Sequence, residues 1–410
     1  MKMKAVVAGV GMTNFGKFLD TGFKALGADA VQRAVKDAGI ELGDLEAAYV
    51  GNAAAGLVTG QECIRGQVIL RSIGVGKIPV INVENACASA STAFNQAAAM
   101  VTAGMYDIVL ALGVEKLYHE DKKVSFKAFS GAVDVEAMQE IMAALKAGAE
   151  SGGAKKASSG AGEKRSMFMD IYAGMARAHM QMHGTTVEQF AMISSKNSFH
   201  GSMNERAQFR EALSVEEVLG SKLIAEPLTR PMCSPIGDGA AAAVIMSEKK
   251  AKELGIRNPV QILTSVLHSG WDRDFNSEGM TELCADEAYA EAGIGPEDLS
   301  VVELHDASAP AEVSATEGLR LCKKGEGGPL VESGATRLGG RIPVNTSGGL
   351  LRKGHPIGAT GMAQIVELTE QIQGRSGKRQ VEGARFGLAH NGGGNIGVDA
   401  ATYCVTVLGK

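Results

Sequence analysis

Apolar residues along the chain fall into short blocks, and their length and period decide which elements they form. Ala5-Val6-Val7-Ala8-Gly9-Val10 is far too short to span a membrane and predicts a strand. An amphipathic helix is predicted from Gly27 to Asp37, with Gly39 just past its end as a C-cap and an apolar strand after it. The same order returns later. Ala38-Gly39-Ile40, Asp44-Leu45 and Val50-Gly51-Asn52 are mirrored by Ala292-Gly293-Ile294, Asp298-Leu299 and Leu304-His305-Asp306, every pair offset by 254 residues. The second helix of this repeat runs from Ala285 to Glu291. Two βαβ-rich halves are implied, and alternating strands and helices call for a mostly parallel sheet in each, with helices on its faces.

Between the halves, from about Tyr118 to Pro235, helical patterns surround an insertion at residues 148–162 built almost wholly of Ala, Gly, Ser and Lys. Such a composition cannot bury enough apolar surface to offset its ordering entropy, so a flexible loop or linker is expected there. Residues 1–117 then form the first part of an N-terminal half, 118–235 a helical loop or cap domain, 236–255 the completion of that half, and 256–410 the C-terminal half. Within the cap, Met167 to Gln181 carries Met169, Met175 and Met180 with Ile171 and Tyr172. Ordinary helix packing accounts for that pattern, and a cavity lined by adaptable side chains is the alternative.

Composition narrows the rest. A chain of 410 residues exceeds one typical core, and 45% apolar residues with 53 glycines and only 5% aromatics suit tightly packed α/β layers. No apolar run reaches the ~18 residues of a spanning helix, and a net charge of −5 gives no electrostatic reason to invoke nucleic acid. The six cysteines show no paired ligand spacing, which argues against a disulfide framework or a zinc site and for the reducing cytoplasm; Val407-Leu408-Gly409-Lys410 is not the peroxisomal Ser-Lys-Leu address.

Three segments carry candidate chemistry. The apolar strand Ile78 to Val83 leads through Glu84-Asn85-Ala86 to Cys87, after which Ala88 to Met100 is rich in helix formers. A lone cysteine is usually an inert buried side chain, but helix N-terminal N–H groups at such a junction favour a thiolate and offer donors to an oxyanion, so a lowered thiol pKa is expected. His355, in Gly354-His355-Pro356-Ile357-Gly358-Ala359-Thr360-Gly361, starts a helical run from Met362 to Gln373 and is aimed by a constrained turn to accept the thiol proton. His390-Asn391-Gly392-Gly393-Gly394 adds a second histidine with glycine backbone able to hold an oxyanion. The combination points to acyl transfer through a thioester.

Asn85-Ala86-Cys87-Ala88-Ser89, the stretch from Ser234 to Ala243, His305-Asp306, Gly354 to Gly361 and His390 to Gly394 resemble, in order, the motifs of the thiolase superfamily. The resemblance spans nearly the whole chain and is nearest the sterol-carrier-protein-type, or lipid-transfer-protein-type, thiolases, marked by His-Asp and His-Asn-x-Gly. It implies an α/β thiolase fold of two duplicated halves in a layered α-β-α-β-α core plus a helical loop domain. It makes Cys87 the acyl acceptor and His355 its base. Gly392 and the N–H of Cys87 would bind the thioester oxygen of the acyl-enzyme, and His305 with His355 that of the second thioester. Asn391, Gly393, Asp306 and Ser347 complete the implied oxyanion and substrate-binding set.

Three positions depart from that pattern. The family's second acid/base cysteine is absent, with His390 and Ala307 at its two locations, and Ser308 replaces a usual Phe. His390 then either moves the α-proton or only orients a neighbour. The resemblance implies thiolytic cleavage of a 3-oxoacyl-CoA or the reverse condensation, with coenzyme A as substrate, no metal and no permanently bound cofactor. It also implies a homodimer and allows a small zinc-ribbon/OB-fold partner. The alternatives are a retro-aldolase or an acyltransferase to a non-CoA acceptor on the same fold, and a non-catalytic acyl-CoA or lipid-binding subunit.

Overall fold

The computed structural model describes residues 3–140, 142–143, 147, 165–274 and 277–410. The insertion expected at 148–162 lies outside them. In chain order the strands are β1 (Ala5–Met12), β2 (Ala47–Gly51), β3 (Val80–Val83), β4 (Ile108–Glu115), β5 (Leu223–Ala225), β6 (Leu228–Thr229), β7 (Gly239–Ser247), β8 (Val260–Ser269), β9 (Val301–Glu303), β10 (Phe386–Gly393) and β11 (Thr402–Gly409). β5 and β6 form a small hairpin, and the other nine join in the order β3-β2-β4-β7-β1-β8-β11-β10-β9.

The repeat read from the sequence is visible in this order. In the first half the succession is β3-β2-β4-β7-β1, and in the second it is Val344-β9-β10-β11-β8, where Val344 takes the place of β3 through a bridge to Val302. β1 and β8 join the halves, with Ala5 opposite Ile262. The repeated helices, Phe23–Ala38 and Met280–Ala292, both end in a glycine at φ 69°, a left-handed turn that glycine adopts without a Cβ penalty. Asp44 and Asp298 then each accept a backbone N–H three residues upstream, from Glu41 and Gly295, both at 2.8 Å.

The expected mostly parallel sheets are not what forms. Only β2 with β3 and β4, and β9 with β10, run parallel; β7 is antiparallel to β1 and β4, and β11 to β8 and β10. The physical reason is connection length. β10 returns as β11 through residues 394–401, too few for a crossover of a dozen residues or more, and β7 enters after the long middle region, so no crossover helix sets its direction.

Small side chains let five layers stack. The helices Ser89–Thr102 and Thr360–Ile372 lie between the two half-sheets, with Ala90, Ala93, Phe94 and Ala97 of one and Met362, Ile365 and Val366 of the other meeting strand residues Val7, Ala111, Ala243 and Ile262. Leu26, Ala30 and Val31 cover the outer face of the first half-sheet, and Cys284, Ala285 and Ala288 that of the second. Each large apolar side chain removed from water here contributes roughly 1.5–3 kcal/mol. A fourth cluster, Ala173, Phe190, Ile193 and Met232 with Ala309 and Val313, seats the helices Phe168–His183 and Val187–Ser202 against the second half. The layering brings the N-termini of both central helices to one end of the molecule.

Candidate functional site

Cys87 sits on a single 3-10 turn, Ala86–Ala88, between β3 and the helix Ser89–Thr102. Ala86 adopts a φ of 47°, a left-handed conformation that costs a residue with a Cβ about 1–2 kcal/mol. Its surroundings enforce it. The N–H of Ala86 donates to Glu84 Oε1 at 2.6 Å, that of Ala88 to the Asn85 carbonyl at 2.9 Å, and that of Asn85 to Ser89 Oγ at 2.9 Å. From the other side β10 closes in: a Cβ on Gly393 would lie 2.1 Å from the Asn85 oxygen, so only glycine permits this approach.

His355 is placed by the turn before the helix Thr360–Ile372. Thr360 Oγ1 lies 2.8 Å from its Nδ1, which leaves Nε2 for the sulfur, and the N–H of Gly358 donates to Glu115 Oε2 at 3.0 Å. Glu115, fully buried at the end of β4, also accepts from Asn52 Nδ2 and from the N–H groups of Ala53, Ala54 and Lys116, so it ties the His355 turn to the first half. His305 follows β9, and its Nδ1 accepts from Asn391 Nδ2 at 3.2 Å and from the Gly392 N–H at 3.4 Å. His390, on β10, accepts the His305 N–H on Nδ1 at 3.5 Å and stacks on Tyr403 with ring centroids 4.9 Å apart.

These segments converge. Cys87 Sγ and one ring nitrogen each of His305 and His355 lie within 4.8 Å of one another, and the two rings meet edge to face with centroids 5.2 Å apart. A cavity of about 980 Å³ reaches this cluster at His305 and is lined also by Phe168, Tyr172, Met175, His390 and Tyr403. The methionine-bearing helix thus serves both readings: Met175 and Met182 face the cavity, whereas Met169 joins the cap core.

The electrostatics correct one expectation. Burial, followed by the nearby Glu115 carboxyl, pushes the Cys87 thiol up to about 12, although the N–H groups of Gly394 and of Cys87 itself act in the opposite direction. Helix-end donors are present, but desolvation outweighs them. Ionising this thiol alone at pH 7 would cost about 7 kcal/mol, so its proton must pass to a neighbour. Burial also pushes His305 down to about 4, His390 to about 3 and His355 well below its ordinary value, the last two aided by repulsion from His305. All three rings are neutral at pH 7.

Other predicted residues stand elsewhere. The N–H turned toward Cys87 belongs to Gly394, while that of Gly392 serves His305. Asp306 faces away, accepting from Asn197 Nδ2 at 2.8 Å and the Leu350 N–H at 2.7 Å. Ser347 is spent on Glu303, which accepts both its hydroxyl and its N–H and pairs with Lys353. Asn391 and Gly393 act through His305 and the Cys87 turn. Glu115 and Thr360 are additions, and a lone carboxylate closing the apolar run Ile108–Glu115 was the readable signal for the first. Sulfur and two imidazoles could hold a soft ion such as zinc, whose bonds of about 2.0–2.3 Å need ligand atoms roughly 3.5 Å apart. The Gly392 N–H on His305 Nδ1 keeps that ring's proton on Nε2, so the set fits proton handling better than metal binding.

Residues 5–249 match the family described as Thiolase, N-terminal domain, and residues 268–410 match Thiolase C-terminal domain-like. The chain belongs to the thiolase family. Within it, the chain falls with the sterol carrier protein 2 and lipid-transfer-protein-like thiolases: it is 35% identical to sterol carrier protein 2 of Bos taurus, over 98% of this chain and 71% of that one. It is 40% identical to an acetyl-CoA acetyltransferase of Methanothermobacter thermautotrophicus, over 96% of this chain and 97% of that one. Among solved structures it resembles an Ltp2-ChsH2(DUF35) aldolase, with a TM-score of 0.78 and 25% identity over 99% of this chain and 97% of that one. No helix among the described residues is long and apolar enough to cross a membrane.

Proposed function

We propose that the protein is an acyltransferase cleaving a 3-oxoacyl-CoA with coenzyme A, or running the reverse condensation, through an acyl group on Cys87. The observation that carries this is the meeting of the Cys87 sulfur with the His305 and His355 rings within 4.8 Å, beside a cavity able to take an acyl chain. His355 Nε2 takes the thiol proton as sulfur attacks the 3-oxo carbon. The oxyanion is met by donors already in place, each contributing on the order of 3 kcal/mol. The C2–C3 bond breaks, acetyl-CoA or a related acyl-CoA leaves as its enolate, and coenzyme A then attacks the acyl-Cys87.

A retro-aldol reading draws support from the aldolase among the structural relatives. Retention of Cys87 favours acyl transfer, because aldol cleavage needs no acyl-enzyme. Intact-protein mass spectrometry after mixing with a panel of 3-oxoacyl-CoA thioesters tests both. A thiolase shows an acyl adduct on Cys87 that disappears on adding coenzyme A; a binding subunit shows none, and an aldolase cleaves substrate even as Cys87→Ser. A homodimer fits the half-exposed edge strand β3, which leads directly into the Cys87 turn. The aldolase relative's DUF35 component motivates adding a small zinc-ribbon/OB-fold protein in a second pass. The six free cysteines fit the cytoplasm.

A further inference from the structure

We infer that His390 works as a fixed hydrogen-bond donor to the reacting thioester oxygen and does not carry the α-proton, which leaves His355 as the single base of the site. The inference rests on the thiolase reading. Peptide groups fix the ring tautomers, because a backbone N–H can only donate. The Gly392 N–H points at His305 Nδ1 from 3.4 Å, and the His305 N–H points at His390 Nδ1 from 3.5 Å. A ring nitrogen that receives an N–H presents its lone pair, so each neutral ring carries its proton on Nε2. Asn391 Nδ2, 3.2 Å from His305 Nδ1, adds a second donor to the same nitrogen and is a positioning residue for that tautomer.

His390 Nε2 is then a donor. It is buried, it meets no acceptor among the described residues, and the residue is only 2% exposed while lining the cavity. Buried donors in native proteins are nearly always paired, so an orphan beside a substrate cavity awaits an oxygen that the substrate brings. Proton carriage fits this ring poorly. Its Nε2 has no lone pair with which to take a proton from carbon, and burial keeps the ring neutral, far too weak an acid to give one up. A neutral imidazole can still polarise a carbonyl or steady an enolate through its N–H.

The proton count closes with one base. The Cys87 proton goes to His355 as the sulfur–carbon bond forms; when the C2–C3 bond breaks, the enolate of the departing acyl-CoA takes that proton at carbon. His355 next accepts the proton of the incoming coenzyme A thiol, whose sulfur attacks the acyl-Cys87, and the expelled Cys87 sulfur takes it back. No second titrating group is required.

Gln at 390 places an amide N–H close to the imidazole Nε2 position but cannot titrate, whereas Leu has similar bulk and no donor. With acetoacetyl-CoA and coenzyme A as the probe, His390→Gln is expected to keep thiolysis within about tenfold of the parent while His390→Leu falls about a hundredfold or more. Equal loss in both variants, with thermal melting like the parent, would overturn the inference. ¹⁵N NMR of the unmodified protein tests it without any substitution. A neutral His390 protonated on Nε2 across pH 5 to 9 is expected, and a ring protonated on Nδ1, or a cation in that range, overturns it. The NMR result does not depend on turnover. Failure of the thiolase reading would show separately, as no Cys87 adduct in the parent with any thioester of the panel.

Discussion

Replacing Gly393 by alanine tests whether the approach of β10 to the Cys87 turn sets the reaction geometry. The new Cβ would stand 2.1 Å from the Asn85 oxygen and 2.8 Å from the Ala88 nitrogen. Both are backbone atoms, so no side chain can swing aside. Ordinary contact distance begins near 3.5 Å, so the strand and the turn must separate by about 1 Å. The turn is already strained at Ala86 and is braced by Glu84 and Ser89, so its displacement moves the sulfur relative to His355. A shift of about 1 Å in reacting groups costs on the order of a hundredfold in rate, or about 2.7 kcal/mol. Overpacking costs a further 1–3 kcal/mol or so of stability.

The assay is the rate of acyl-Cys87 formation from acetoacetyl-CoA by rapid quench and mass spectrometry, read beside a thermal melt. Gly131→Ala is the control, because its Cβ would meet only the Ala128 oxygen at 3.9 Å and its φ is −79°. The expected result is acylation about a hundredfold slower in Gly393→Ala and unchanged in Gly131→Ala. Acylation of Gly393→Ala within threefold of the parent would refute the reasoning, because the clash would then have been relieved without moving the nucleophile.

Two further tests follow from the charge states. With the thiol pushed up to about 12, iodoacetamide labelling of the Cys87 peptide should climb about tenfold per pH unit from 7 to 9.5 without levelling; a plateau in that range would reveal a resting thiolate. Glu367, paired with Arg379 at 2.8 Å and buried, is held down to about 2 by that guanidinium. A carboxylate lowered on folding stabilises fully above its unfolded value near 4.5, and the contribution fades as the pH falls toward 2. Glu367→Gln should therefore lose about 3–5 kcal/mol in urea unfolding at pH 7, with the deficit shrinking below pH 4.5; a deficit independent of pH would show that packing, not charge, was removed.

What could be read in advance was local. The helix, glycine and strand of each half were legible because Gly39 and Gly293 act within a few residues of their own helices. The histidine segments could be placed because each lies on a short run of chain with its own glycines. Strand direction was not legible, since β7 and β11 take theirs from partners and connections elsewhere. Nor was the thiol's state. The helix end that favours a thiolate is local to Cys87, but the burial and the Glu115 carboxyl that overrule it come from the packed layers and from β4. The partners of Asp306 and Ser347 are likewise distant in sequence. His305, the neighbour of Asp306, faces the cavity, yet the Asp306 and Ser347 side chains turn toward Asn197 and Glu303 across the cap and the second half.

The reacting groups are therefore assembled uncharged. Cys87 is a thiol and the three rings are neutral at pH 7, so none of these four groups waits as an ion in a desolvated pocket. Charge separation between Cys87 and His355 becomes affordable only when an oxygen is present to receive the electron pair. About 7 kcal/mol stands against the lone thiolate. Charging His355 costs more again, because burial holds its ring well below its ordinary value, and donors on a developing oxyanion, worth about 3 kcal/mol each, work against both costs together with the attraction between the new imidazolium and that oxyanion. A bound acyl-CoA is then both substrate and trigger, and an empty site leaves the sulfur unreactive, because the donors that would stabilise charge have nothing to hold.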